Sequence, residues 1–197
     1  MKTIVAVIFL GIFTYAFGNN YAEIRECQTV RAMQNFDSTK FFRGSWYMTH
    51  VMNGLFSFVC QKLQTTKDGA ELFIDYNYEK NGKQNNVRCE SKGQNKNGQI
   101  PFNCQIKNKQ FFNFLRKSTK FQSIFTIMTT DYDNYALFYK CVTLESGAKA
   151  ENYVLLSRNK YDENIPGNAK SLLEINGVNL KKCSELRNAK DIDSEVV

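Results

Sequence analysis

The 197-residue chain carries 26 Lys and Arg against 19 Asp and Glu, a formal charge of +7, with six cysteines and a single histidine. The basic residues are scattered instead of forming the stripe that tracks a nucleic-acid backbone, so nucleic acid is not an expected partner. With no Cys-x-x-Cys pair and His50 as the only imidazole, zinc is a poorer reading of the cysteines than disulfides.

At the N-terminus, Lys2 precedes an apolar run of 15 residues, Thr3 to Phe17, and Ala16-Phe-Gly18 supplies small residues at the spacing of a signal-peptidase site. The run is shorter than the ~20 residues that span a bilayer, and no later stretch approaches it. Residues 1–18 are therefore expected to be a secretory signal. The mature, extracellular chain would carry +6, which favours an anionic partner, and its even cysteine count reads as three disulfides. No Asn-x-Ser/Thr acceptor occurs, so no N-glycan is expected.

From Gly44 to Lys160, short runs rich in aromatic and β-branched residues alternate with Gly, Asn, Asp and Lys turns. The pattern predicts strands over about 45–52, 70–79, 85–92, 98–107, 110–117, 121–130, 134–144 and 151–159. Too little chain separates them for crossover helices, so the sheet is expected to be antiparallel. Cys89 and Cys104 are symmetric about the turn Asn95-Lys-Asn-Gly98, which would set them opposite each other within disulfide reach. Pro166 and Gly177 bracket a short helix, Asn168 to Asn176, whose Leu172, Leu173 and Ile175 are expected to pack on the strands. The domain is expected to run over 19–183, with 184–197 a frayed, polar tail.

Three short motifs carry a resemblance. Gly44-x-Trp46 follows Asn35-Phe-Asp-Ser-Thr-Lys-Phe-Phe42; Thr130-Asp131-Tyr132 opens the seventh strand; Arg158 closes the eighth. In this order they resemble the lipocalin signatures. The glycine lets the chain turn into the first strand, and the tryptophan plugs one end and stacks under the arginine. Longer stretches are similar to the salivary lipocalins of blood-feeding triatomine bugs, the triabin and pallidipin group: Phe41-Phe-Arg-Gly-Ser-Trp-Tyr47, Val59-Cys-Gln-Lys62, Lys96-Asn-Gly98, Asp131-Tyr-Asp-Asn-Tyr-Ala-Leu137 and Tyr153-Val-Leu-Leu-Ser-Arg158. The resemblance implies an all-β, eight-stranded up-and-down barrel with a short C-terminal helix. It also implies the pairings Cys27–Cys141 and Cys60–Cys183, and a role in saliva against platelets, coagulation or vessel tone.

Catalysis finds little support, since oxidised cysteines and one imidazole leave no nucleophile–base pair. Asp131 and Asp133, beside Asn134, read as turn-holding residues. Haem is not an expected cofactor: the position at which the related nitrophorins place a histidine corresponds to Asn77. His50, on the first strand, is expected at the rim. Strand alternation then nominates a pocket. Counting from Trp46 turns Met48 and His50 inward. Outward-facing Cys141 leaves Phe138, Lys140 and Val142 inside; Arg158 sets Asn152, Val154 and Leu156 inside; Asn77 carries Phe73 and Asp75 with it. A bulge would reverse any of these. Lys140 reads as the partner of a ligand phosphate or carboxylate, or as a side chain that snorkels to the mouth or pairs with Asp75. Arg116 and Phe111-Phe112-Asn113-Phe114 read as a ligand wall or plain packing.

A monomer that sequesters a small anionic platelet agonist is the expected function, with an adenine nucleotide ahead of eicosanoids such as thromboxane A2 or leukotrienes. The alternatives are inhibition of thrombin or another host protease, disfavoured by the repulsion of two basic surfaces, and biogenic-amine binding, which would need a pocket carboxylate such as Asp75.

Overall fold

A computed structural model describes residues 24–52, 60–80, 83–95, 98–108 and 118–186. Among the described residues nine strands form one antiparallel sheet: β1 (Arg43–Val51), β2 (Lys62–Asp68), β3 (Glu71–Lys80), β4 (Lys83–Ser91), β5 (Gln99–Asn108), β6 (Ser118–Thr130), β7 (Tyr135–Leu144), β8 (Lys149–Ser157) and β9 (Lys181–Lys182). Strands β1 to β8 follow one another up and down, and β1 pairs with both β8 and β2, which closes the barrel. Closure leaves no sheet edge among these eight strands to template aggregation. Beyond Tyr47, β1 has no β2 partner, and His50 and Val51 pair instead with β9.

One difference from the predicted strands has a physical cause. Strand β2, Lys62-Leu-Gln-Thr-Thr-Lys-Asp68, escaped the hydrophobic pattern because only Leu63 in it is apolar; its other buried inward residue is Thr65, whose hydroxyl is satisfied by the carbonyls of Phe41 and Gly44. The strand predicted over 110–117 lies outside the described residues, as do Arg116, the Phe111 to Phe114 run and residues 1–18, the expected signal segment. Gly69, at φ +55, turns β2 into β3.

The closed end is built by the signature residues. Helix α1 (Ser38–Phe41) is capped by Asp37, whose carboxylate accepts from the amides of Thr39 and Lys40. Arg158 lies 3.5 Å over the Trp46 ring and donates to the carbonyls of Arg43, Ser45 and Tyr132. The Asp131 carboxylate accepts from the amides of Asn134 and Tyr135, and Thr130 accepts from the amide of Tyr132, fixing the β6–β7 turn. Asp133 instead pairs with Arg43 across that end.

Three disulfides fasten the chain. Cys89 and Cys104 are register partners on β4 and β5; Cys27–Cys141 ties the N-terminal segment to β7; Cys60–Cys183 ties the C-terminal segment beside β2. Along the outer wall, Tyr139 donates to Glu151 and accepts from the Gln28 amide, while Tyr153 donates to the Gln28 side chain. Helix α2 (Gly167–Ile175) buries Ala169 and Leu173 against this wall. Leu172 is partly buried there as well, but Ile175 is 79% exposed, contrary to the sequence reading. At 100° per residue Ile175 points away from the face shared by Ala169, Leu172 and Leu173.

Candidate ligand-binding site

Side-chain direction in the barrel follows alternation, except where a bulge intervenes. On β7, Phe138, Lys140 and Val142 face inward while Tyr139 and Cys141 face the outer wall; on β8, Asn152, Val154 and Leu156 face inward. Met48 is inside as well. His50 is not: the register shifts between Met48 and His50, so Val51 enters the core and His50 pairs with Leu155 and Lys182 on the outer face, beneath the C-terminal segment.

The inward assignment of β3 is also corrected. Leu72, Ile74, Tyr76 and Tyr78 form the buried row, which places Phe73, Asp75 and Asn77 outside. Arg88 stacks on Phe73 at 4.6 Å and pairs with Asp75 at 3.3 Å, and Asn77 is hydrogen-bonded to Asn86. The row of four apolar or aromatic residues was visible in the sequence; anchoring the phase on Asn77 overrode it. Two consequences follow. Asp75 offers no carboxylate to an amine inside the barrel, and the chain's one histidine offers no imidazole there.

What the interior does present is Lys140. Its ammonium lies 5.5 Å from the Tyr76 ring centroid and 5.4 Å from that of Phe125, and among the described residues it has no ion pair or hydrogen bond. The residue is 8% exposed, and burial pulls its pKa down to about 8. Cation–π contact compensates only part of the hydration an ammonium loses, so the charge is left under-compensated among the described residues. Sequence reasoning missed Ser123, which shares the inward face of β6 with Phe121 and Phe125. Its hydroxyl is buried without a hydrogen-bond partner among the described residues. A small polar residue between two phenylalanines on an inward phase was the available signal.

Below Lys140 the barrel is filled. Phe125 stacks on Phe138 at 4.8 Å and packs on Phe102 at 5.0 Å; Phe102 meets Phe42 at 6.2 Å, and Phe41 stacks on Trp46 at 5.2 Å. Above it, toward the end where β7 and β8 meet, Val142, Leu144, Ile106 and Phe121 are only half-buried. Burial thus falls off from Lys140 toward the open end. A groove of 530 Å³ runs across β4 to β7, lined mainly by outward residues including Arg88, Glu90, Lys120 and Glu145, and also by Phe121 and Leu144. Its mixed charges select no sign of ligand.

A family model described as Triabin matches residues 20–172. Procalin of Hospesneotomae protracta is 30% identical over 186 residues, covering 93% of this chain and 99% of that protein. Triafestin-1 of Triatoma infestans is 39% identical over 176 residues, covering 85% and 83%. Among solved structures, an LTBP1 mutant in complex with leukotriene C4 aligns with a TM-score of 0.58 at 28% identity, over 79% of this chain and 93% of that one.

Proposed function

Since the chain belongs to the triabin family of lipocalins, which are ligand-binding proteins and not enzymes, we propose that it is a secreted salivary scavenger that holds a small anionic agonist of host haemostasis inside its barrel. The observation that carries this reading is the buried Lys140, which has no ion pair or hydrogen bond among the described residues. In a cavity where water screens poorly, an ammonium without a carboxylate is an unfilled half of an ion pair. An adenine nucleotide is the first reading, since aromatic side chains such as Tyr78 and Phe121 belong to or pack against the core toward the open end and could stack on a base. An eicosanoid acid is the second reading, favoured by the likeness to the leukotriene-bound LTBP1 structure.

Calorimetric titration with ADP, leukotriene C4, a thromboxane analogue and serotonin tests the proposal. An anion is expected to bind with one site and a Kd near 0.1 μM or below, about −9.5 kcal/mol, while serotonin does not bind. Inhibition of platelet aggregation would then be stoichiometric, and added agonist would restore aggregation. Preference for serotonin, or prolonged thrombin-triggered clotting without any small-molecule binding, would replace this reading with one of the two alternatives.

A further inference from the structure

We propose that the ligand enters anion-first: its charged group seats on Lys140 and the Ser123 hydroxyl at mid-depth, and its body extends upward to the open end without passing below. This rests on the anionic-ligand reading above and goes further, to the pose and shape of the ligand.

The argument begins with where the ammonium sits. The Lys140 ammonium lies over the Phe125 ring at 5.4 Å, and Phe125 stacks on Phe138, so the ammonium stands at the end of the aromatic column that fills the closed half. Phe138 is 0% exposed and Phe102 1%. A hydrocarbon tail could descend past Lys140 only by displacing these rings, at the cost of overpacking a dense core. Lys140 is thus the floor of the open chamber.

Ser123 supplies the second observation. Phe125 is the register partner of Lys140, and Ser123 stands two residues from it toward the open end, on the same inward face. The buried ammonium and the buried hydroxyl, which has no partner among the described residues, are diagonal neighbours on paired strands, the first donating from the floor and the second from the wall just above. A phosphate or carboxylate resting there satisfies both, whereas a neutral end group or an alkyl terminus satisfies neither.

Chamber height limits the rest of the ligand. From Lys140 to Leu144 the wall rises four residues, about 13 Å along the strand and roughly 10 Å along the barrel axis once strand tilt is counted. A terminally anionic molecule with a compact body fits within it; a long acyl chain would reach the mouth. The shared chemistry is a terminal anion, whether of a nucleotide or a lipid acid.

Trp46 is the chain's sole tryptophan and lies at the closed end, beneath the column, which makes it a depth gauge. Two stearates, with a nitroxide either near the carboxylate or near the methyl end, should bind equally, and the carboxylate-end label should quench Trp46 at least about threefold more. Lys140→Met should weaken both by about tenfold or more and abolish the difference, Lys140→Arg should keep it, and Ser123→Ala should weaken both by about threefold. Displacement of the probe by ADP but not adenosine assigns the anion to a nucleotide; displacement by fatty acids alone assigns it to a lipid. Stronger quenching by the methyl-end label overturns the pose while leaving the anionic reading intact. Binding of the stearates and of ADP that is unaffected by Lys140→Met overturns both, as does the failure of both the stearates and ADP to bind.

Discussion

Lys140 is held in a state that costs stability, and the sign of that cost makes it measurable. Burial lowers its pKa to about 8 from 10.5, so between these values the unfolded chain binds more protons than the folded one. The penalty is fully present below pH 8 and fades as pH rises toward 10.5. At about 1.4 kcal/mol per pH unit, Lys140→Met should stabilise the ligand-free protein by roughly 3 kcal/mol at neutral pH, and the gain should shrink above pH 8. Denaturant titrations at a series of pH values read this directly; a gain that does not change with pH would refute it. The same proton links to binding. A bound anion favours the ammonium, so affinity should be flat below pH 8 and decline above it.

At the scale of elements, the C-terminal strap is the part of the fold most responsive to acid. His50 is buried beneath β9, with Nδ1 3.1 Å from the Thr49 hydroxyl, and that hydroxyl donates to the Leu155 carbonyl. Burial and then the nearby Lys182 hold the His50 pKa below 6.5, opposed by Glu163, Asp162 and Glu185. A depressed imidazole contributes stability that is lost as pH falls below 6.5 toward its folded value. His50→Gln should flatten that acid limb of the melting curve, and hydrogen exchange should place the early opening in residues 178–186. Exchange that opens the barrel strands first would contradict it.

The sequence disclosed strands wherever apolar alternation was strong, as in β7 and β8, where outward Cys141 set the phase of Phe138, Lys140 and Val142. It concealed β2, where threonine stands in for an apolar inward residue. His50 was misplaced because a bulge leaves no compositional trace, and Asp75 because an anchor outside the row of Leu72, Ile74, Tyr76 and Tyr78 set its phase. Lys140 could be nominated from the sequence, but its solitude could not: that depends on which strands bring which side chains across the barrel.

For the molecule as a whole, the two long disulfides do more than restrict the unfolded chain, although loops of 114 and 123 residues each do so by about 5 kcal/mol in chain-entropy terms. Their spans overlap, from Cys27 to Cys141 and from Cys60 to Cys183. Any single peptide bond cut between residues 28 and 182 therefore falls inside at least one covalent ring, and the two pieces stay joined. A protein nicked once by a protease should migrate as one species on a non-reducing gel and as two after reduction, with its ligand still bound. Such a molecule tolerates a first cleavage anywhere along its folded length and falls apart only after a second, a form of durability that resides in how the chain is linked and not in how tightly any part of it is packed.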